Sequence, residues 1–225
     1  MITIIDYGVG NLFSLSSSLS YLGLENKVSR DPEDLKKADH IILPGVGAYG
    51  DAIAKLRGSG MAEPLLDEAK AGKPIMGICL GMQLLFDKSY EYGEHQGLGL
   101  IPGVMADLRE DIPANLKVPH MGWNSLHLTE KGKKHPLFKY SKEGDYVYFV
   151  HSFYGKDCDE SLLATSEYGI PVTASAANEN VMGCQFHPEK SSDVGLQILR
   201  NFAAIGKIYP QFLDSVLHVE DRGTS

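Results

Sequence analysis

Apolar residues fall into two kinds of pattern along this chain. Short unbroken runs, Ile2-Thr-Ile-Ile5, His40-Ile-Ile-Leu43 and Pro74-Ile-Met-Gly-Ile78, have the length and branching of strands buried on both faces. Between and after them the spacing becomes helical. Leu12, Leu15, Leu19 and Leu22 recur before Gly23, and Asp31-Pro32 carries the cap-and-proline signature of a helix start. A further stretch opens near Asp51 with Ala52, Ile53 and Leu56, another runs from Pro64 to Gly72, and one more begins over Leu80 to Phe86. Strands alternating with helices predict an α/β fold, with a mostly parallel sheet covered by helices on both faces.

The second half reads differently. Val118 to Leu128, Asp145 to Tyr154 and Val172 to Phe186 are rich in β-branched and aromatic residues, with no clear long helix between them. Asn178-Glu-Asn180 is a turn candidate joining Val172–Ala176 to Val181–Phe186 as a hairpin. These antiparallel C-terminal strands are expected to extend the sheet or to form a small layer of their own. A final helix follows His187, with Val194, Ile198 and Phe202 four apart. No repeat or long linker divides the chain, so residues 1–225 are read as one domain, with a polar C-terminal extension from about residue 206 expected to fray.

Composition narrows the function classes. The 225 residues are 43% hydrophobic and 22% charged, the proportions of an ordinary globular protein. A formal charge of -8, with Lys131-Gly-Lys-Lys134 as the longest basic stretch, argues against a nucleic-acid partner. No apolar run approaches the roughly 20 residues that span a bilayer, and Met1-Ile-Thr-Ile-Ile-Asp6 lacks the basic region of a signal peptide. A soluble, cytoplasmic protein with reduced thiols is expected. Its three cysteines, Cys79, Cys158 and Cys184, cannot all pair, and no metal-like Cys/His spacing is present.

Of those thiols, Cys79 has the setting of a nucleophile. Gly77-Ile-Cys79-Leu-Gly81 joins an apolar strand to a helical segment, the elbow that holds a nucleophile on a tight turn. The alternative is a small core hydrophobe at a strand end. A thiolate needs a base and the base an orienting group, and Gln185-Phe-His187-Pro-Glu189 offers both two residues apart, on one side of the chain if the segment stays extended. Spacing alone leaves a strand-end histidine with a solvent-facing Glu189 equally open. His218-Val-Glu220 repeats the spacing, but at the edge of the polar tail. His151 is a further possible base without a near carboxylate, better read as a packed or substrate-side histidine. Gly45-Val-Gly-Ala-Tyr-Gly50 matches a dinucleotide fingerprint, yet such a site needs an acidic residue about 20 positions on at the end of the next strand, and here the next strand ends at Cys79. A glycine loop beside a cysteine elbow more naturally supplies an oxyanion-hole amide. Cys158 is expected as an exposed loop thiol and Cys184 as core.

Gly77-Ile-Cys79-Leu-Gly-Met-Gln83 together with Phe186-His187-Pro-Glu189 resembles the class I glutamine amidotransferase domain, over nearly the whole chain. Pro44-Gly-Val-Gly-Ala-Tyr-Gly-Asp51, Val118-Pro-His-Met-Gly-Trp-Asn124 and Tyr148-Phe-Val-His-Ser152 narrow the resemblance to members serving histidine biosynthesis. The resemblance implies a flavodoxin-like fold and hydrolysis of L-glutamine by a Cys79–His187–Glu189 triad. It implies an oxyanion hole from the amide of Leu80 and one from Val46 or Gly47, and glutamine contacts from Gln83, Glu91 and the backbone at Ser152 and Phe153. It implies no cofactor or metal. It also implies a partner: a cyclase subunit, a (β/α)8 barrel, receiving the ammonia. Asn11 and Trp123 are the interface candidates, with a core anchor as the alternative for Trp123.

Overall fold

The computed structural model describes residues 1–206; the C-terminal extension, and with it His218 and Glu220, lies outside the described residues. In chain order the first half comprises β1 (Ile2–Ile5), α1 (Leu12–Tyr21), β2 (Asn26–Ser29), α2 (Pro32–Lys37), β3 (His40–Leu43), α3 (Tyr49–Gly58), α4 (Ala62–Lys70), β4 (Ile75–Ile78) and α5 (Leu80–Leu85). Then come β5 (Phe86–Ser89), β6 (His95–Gln96), β7 (Ile101–Asp107), β8 (His120–Ser125), β9 (His127–Leu128), the short α6 (Glu130–Lys134), β10 (Tyr146–His151) and β11 (Phe153–Lys156). The chain continues through β12 (Leu162–Glu167), β13 (Pro171–Asn178), β14 (Val181–Cys184) and α7 (Ser192–Ala204).

The main sheet has the order β2-β1-β3-β4-β14-β13-β12-β9. Its first five strands run parallel and the last three continue it antiparallel. Every residue of β1, β3, β4 and β14 is buried, which is why those strands read as unbroken apolar runs. Alternate side chains serve opposite faces. Ile4, Ile42, Met76 and Ile78 pack with Leu15 and Leu19 of α1 and Ile198 and Phe202 of α7. Ile5, Ile41, Leu43 and Ile75 pack with α3, α4 and α5 through Ile53, Leu56, Leu65 and Leu84.

The β-rich second half does both things its composition allowed. Strands β13, β12 and β9 extend the main sheet, while β8 and β10 form a separate two-stranded ribbon. A four-stranded layer of order β11-β7-β5-β6 uses segments that hydropathy had hidden. The expected helix over Leu80 to Phe86 ends at Leu85, because Phe86 turns to extended backbone and opens β5. Strand β2 escaped notice because it is an edge strand with exposed Lys27 and Val28. Helix α4 starts at Ala62, so Pro64 sits inside the first turn, where its missing N–H has no helical partner to lose. The predicted hairpin forms, with Asn178 paired to Val181 around Glu179 and Asn180.

Candidate functional site

The elbow is built by subtraction. Strand β4 ends at Ile78, Cys79 takes φ 54° and ψ −114°, and α5 begins at once with Leu80. A left-handed backbone at a non-glycine residue is strained and persists only where its surroundings enforce it. The flanking glycines do not supply that freedom themselves, since neither Gly77 nor Gly81 has positive φ. They supply clearance. A Cβ on Gly81 would lie 1.8 Å from the Leu43 carbonyl oxygen, and one on Gly77 would lie 2.6 Å from the Gly81 oxygen. Gly183 on β14 clears the Met82 side chain and Gly45 clears the Gly81 nitrogen in the same way. Four glycines thus let α5 rise directly over the strand ends, and the strain falls on Cys79.

Cys79 is 7% exposed rather than standing free at the surface, and it opens into a cavity of about 310 Å³. Leu80, Gln83, Glu91, Val46, Gly47, Ser152, Phe153 and His187 line the same cavity, so every predicted catalytic or glutamine-contact residue but Glu189 meets there. Pro119, Val150 and His151 complete the wall.

His187 reaches the cavity from just beyond the end of β14. Its backbone N–H donates to the Tyr148 carbonyl at 3.0 Å, and the Ser191 hydroxyl donates to the His187 carbonyl at 2.6 Å while accepting from the Tyr148 N–H. The segment does not stay extended as expected. His187 is extended, but Pro188–Lys190 form one 3-10 turn, because a proline fixed near helical φ suits the first position of a helix. That turn brings Glu189 Oε1 to 2.8 Å from His187 Nδ1, with both side chains 3% exposed. The solvent-facing reading of Glu189 is therefore excluded. Burial alone would lower the imidazole pKa; Cys79 and Glu189 outweigh it and hold it at about 9. His187 Nε2 has no hydrogen-bond partner among the described residues.

The glutamine-contact candidates are differently held. Gln83 is buried, and its side-chain amide donates to the Phe153 carbonyl at 3.2 Å and to Gln185 Oε1 at 3.0 Å. Glu91 Oε2 accepts from the Tyr49 N–H, and burial pushes its carboxyl above the ordinary range. The 44–47 loop is held by Tyr7, whose buried hydroxyl donates to the Pro44 carbonyl at 2.7 Å. Through Val46 and Gly47 this loop lines the cavity beside the elbow.

His151 is a packed cavity residue. Its Nδ1 lies 2.8 Å from the Phe153 carbonyl, so it carries the proton there, and its Nε2 meets His120 Nδ1 at 3.0 Å. Burial drives its pKa down to about 3, so it stays neutral at ordinary pH. Cys158 contradicts its expectation: it is 5% exposed, with Sγ 3.7 Å from Thr173 Oγ1, because the left-handed turn at Asp157 folds it against Gly103 and Gly155. Cys184 is core, as expected.

Trp123 is not a core anchor. It stands 48% exposed on β8, edge-on to Tyr148 with ring centroids 6.1 Å apart. Asn11 caps α1, its Oδ1 accepting from the Ser14 N–H at 3.3 Å. Sequence reasoning passed over Gln185, Tyr7 and His120. For Gln185 a signal existed: two residues before His187 on an extended segment, it shares the histidine's side. For the others none did, since their partners lie more than 30 positions away. No cluster of His, Cys, Asp and Glu among the described residues is arranged to hold a metal ion, and no described helix is long and apolar enough to cross a membrane.

Known proteins resemble this chain over most of its length. Residues 3–205 match the family model for glutamine amidotransferase class-I. The chain is 48% identical over 208 residues to imidazole glycerol phosphate synthase subunit HisH of Wolinella succinogenes, covering 92% of this chain and 100% of that one. It is 47% identical over 205 residues to the HisH subunit of Listeria monocytogenes, covering 91% and 96%. Among solved structures, PurLQS from Thermotoga maritima superposes with a TM-score of 0.69 at 21% identity, covering 90% of this chain and 96% of that one. The glutaminase domain of CTPS from Trypanosoma brucei gives 0.62 at 16% identity, covering 90% and 93%. At those identities the structures speak for the fold alone.

Proposed function

The chain belongs to the class-I glutamine amidotransferase family, and on that premise we propose that it is the glutaminase subunit of an imidazole glycerol phosphate synthase, working in histidine biosynthesis. The observation that carries the chemistry is the meeting of Cys79, His187 and Gln83 in one cavity, with Glu189 buried behind the histidine.

The Cys79 thiolate attacks the side-chain amide carbon of glutamine, and the negative charge moves onto the amide oxygen. The amides of Leu80 and of Val46 or Gly47 receive that oxyanion. His187 gives its proton to the amide nitrogen, the C–N bond breaks, and ammonia leaves a thioester on sulfur. His187 then takes a proton from water, the hydroxide adds to the thioester carbon, and the C–S bond breaks to release glutamate. Glu189 fixes which ring nitrogen faces the sulfur and stabilises the imidazolium. Gln83, Glu91 and the backbone at Ser152 and Phe153 hold the glutamine.

Ammonia escaping into neutral water is captured as ammonium and lost as a nucleophile. A glutaminase subunit of this kind hands it directly to a cyclase, the other half of a heterodimer located in the cytoplasm. Asn11 and the half-exposed Trp123 belong to that docking face. The test is glutamine turnover with and without the cyclase and its nucleotide substrate. Adding both is expected to raise turnover, and Cys79→Ala to abolish it while synthesis from ammonium salts continues. Retained glutaminase activity in that variant overturns the reading.

A further inference from the structure

Gln185 is completely buried one residue beyond β14, and its position is set by the sheet: its N–H donates to the Ala174 carbonyl at 2.9 Å, while the Cys79 N–H donates to the Cys184 carbonyl at 2.8 Å. Its side chain lies between two residues of the cavity. Oε1 is 3.0 Å from Gln83 Nε2, and Nε2 is 3.8 Å from Cys79 Sγ.

The polarity of this chain is not free. The Phe153 carbonyl can only accept, so the Gln83 atom 3.2 Å from it is the amide nitrogen. The same nitrogen contacts Gln185, which must therefore answer with its oxygen. That turns the Gln185 NH2 onto the sulfur. Both Gln83 N–H groups are consumed, so its carbonyl oxygen is the atom left to meet a ligand. One backbone carbonyl thus dictates, through two amides, that a donor faces Cys79.

We infer that Gln185 is a positioning residue for the glutaminase reaction, holding an N–H on the Cys79 sulfur and tying the orientation of Gln83 to the state of the nucleophile. The inference rests on the reading of Cys79 as the nucleophile. A donor there favours S⁻ over S–H, and so assists both the attack on glutamine and the departure of sulfur from the thioester. A neutral thioester sulfur accepts more weakly, so acylation loosens Gln185 and with it Gln83.

The test uses Gln185→Leu and Gln185→Met, neither of which carries a hydrogen-bond donor, each in the full chain with its cyclase. Two quantities are read: alkylation of Cys79 by iodoacetamide at fixed neutral pH, with no glutamine present, and the kcat and KM for glutamine. Both variants are expected to alkylate about tenfold more slowly, the worth of a hydrogen bond to a charged acceptor. They are also expected to lose kcat more than they raise KM. A role confined to packing would lower thermal stability and leave the alkylation rate of the folded protein unchanged. Unchanged alkylation and kcat in a folded variant overturn the inference. Should neither variant fold, Gln83→Met breaks the same chain from its other end and is expected to slow alkylation in the same direction; no change there overturns it equally. Because alkylation needs no substrate, this outcome is separate from whether the parent hydrolyses glutamine.

Discussion

His187 Nδ1 and Glu189 Oε1 lie 2.8 Å apart although one residue ends an extended segment and the other sits in a 3-10 turn. The pairing is set by Pro188 between them and by the Ser191 hydroxyl behind, so the carboxylate is delivered by backbone geometry. Glu189→Gln keeps an acceptor in that place and removes its charge. It is expected to lower kcat for glutamine by up to roughly 10,000-fold, the loss seen when the orienting carboxylate of such a triad becomes an amide. The His187 titration midpoint is expected to drop from about 9, followed by NMR of the imidazole. Near-wild-type turnover in this variant would remove Glu189 from the triad.

The elbow glycines make a second, structural prediction. Gly81→Ala would set a methyl 1.8 Å from the Leu43 carbonyl oxygen, an overlap only a backbone shift relieves. A loss of at least about 3 kcal/mol is expected in denaturant unfolding, at the upper end for overpacking because the neighbour is backbone. Gly58→Ala, at the end of α3 with nothing within 4 Å, is the control. It is expected to be neutral or stabilising by up to about 1 kcal/mol. Equal effects at the two positions would sink the clearance argument.

That comparison also marks what could be read from the sequence. The parallel half of the sheet was legible because strands buried on both faces must be apolar throughout, as β1, β3 and β4 are. Cys79 stood out through its glycines, yet the pattern did not reveal why they are there: Gly81 answers to Leu43, far earlier in the chain. Strands β5, β6 and β7 stayed hidden because Phe86 continues the apolar run of α5 without a break. Burial of Cys158 and the chain from Phe153 through Gln83 to Gln185 depend on which loops meet, and no local spacing encodes that.

Tyr7 was one such unmarked residue. Its hydroxyl is the anchor of the Pro44 carbonyl, and through it of the loop that holds Val46 and Gly47. Tyr7→Phe leaves a buried carbonyl without its donor, costing about 1–3 kcal/mol of stability. Since the loop carries a proposed oxyanion amide, kcat is expected to fall while KM for glutamine holds. Steady-state kinetics above the KM decide it; a change in KM alone would place the loop in substrate binding instead.

The histidines predict the shape of the stability curve against pH. His151, buried, and His135, half-buried, are held down at about 3 and about 4 by the loss of solvation, with Lys131 adding to the effect at His135. Both are expected near 6.5 in the unfolded chain. Between pH 6.5 and 4 the unfolded state therefore binds more protons, and stability falls as pH drops, by at most about 1.4 kcal/mol per pH unit for each group. His187 acts in the opposite sense. Its folded pKa of about 9 lies above the unfolded value, so its contribution is complete below pH 6.5 and is lost as pH rises through 9. Together these give a maximum near pH 6.5. Paired carboxylates, such as the half-buried Asp107 beside the exposed Arg109, are held below their ordinary range and act only at more acid pH. Urea unfolding from pH 4.5 to 9.5 measures the curve. His135→Asn, which can still accept from the Leu137 N–H as His135 does, is expected to flatten the acid arm alone. Glu189→Gln is expected to flatten the alkaline arm alone. Stability that climbs steadily to pH 9 would show that His187 does not keep its proton in the folded protein, and would withdraw the imidazolium from the resting site.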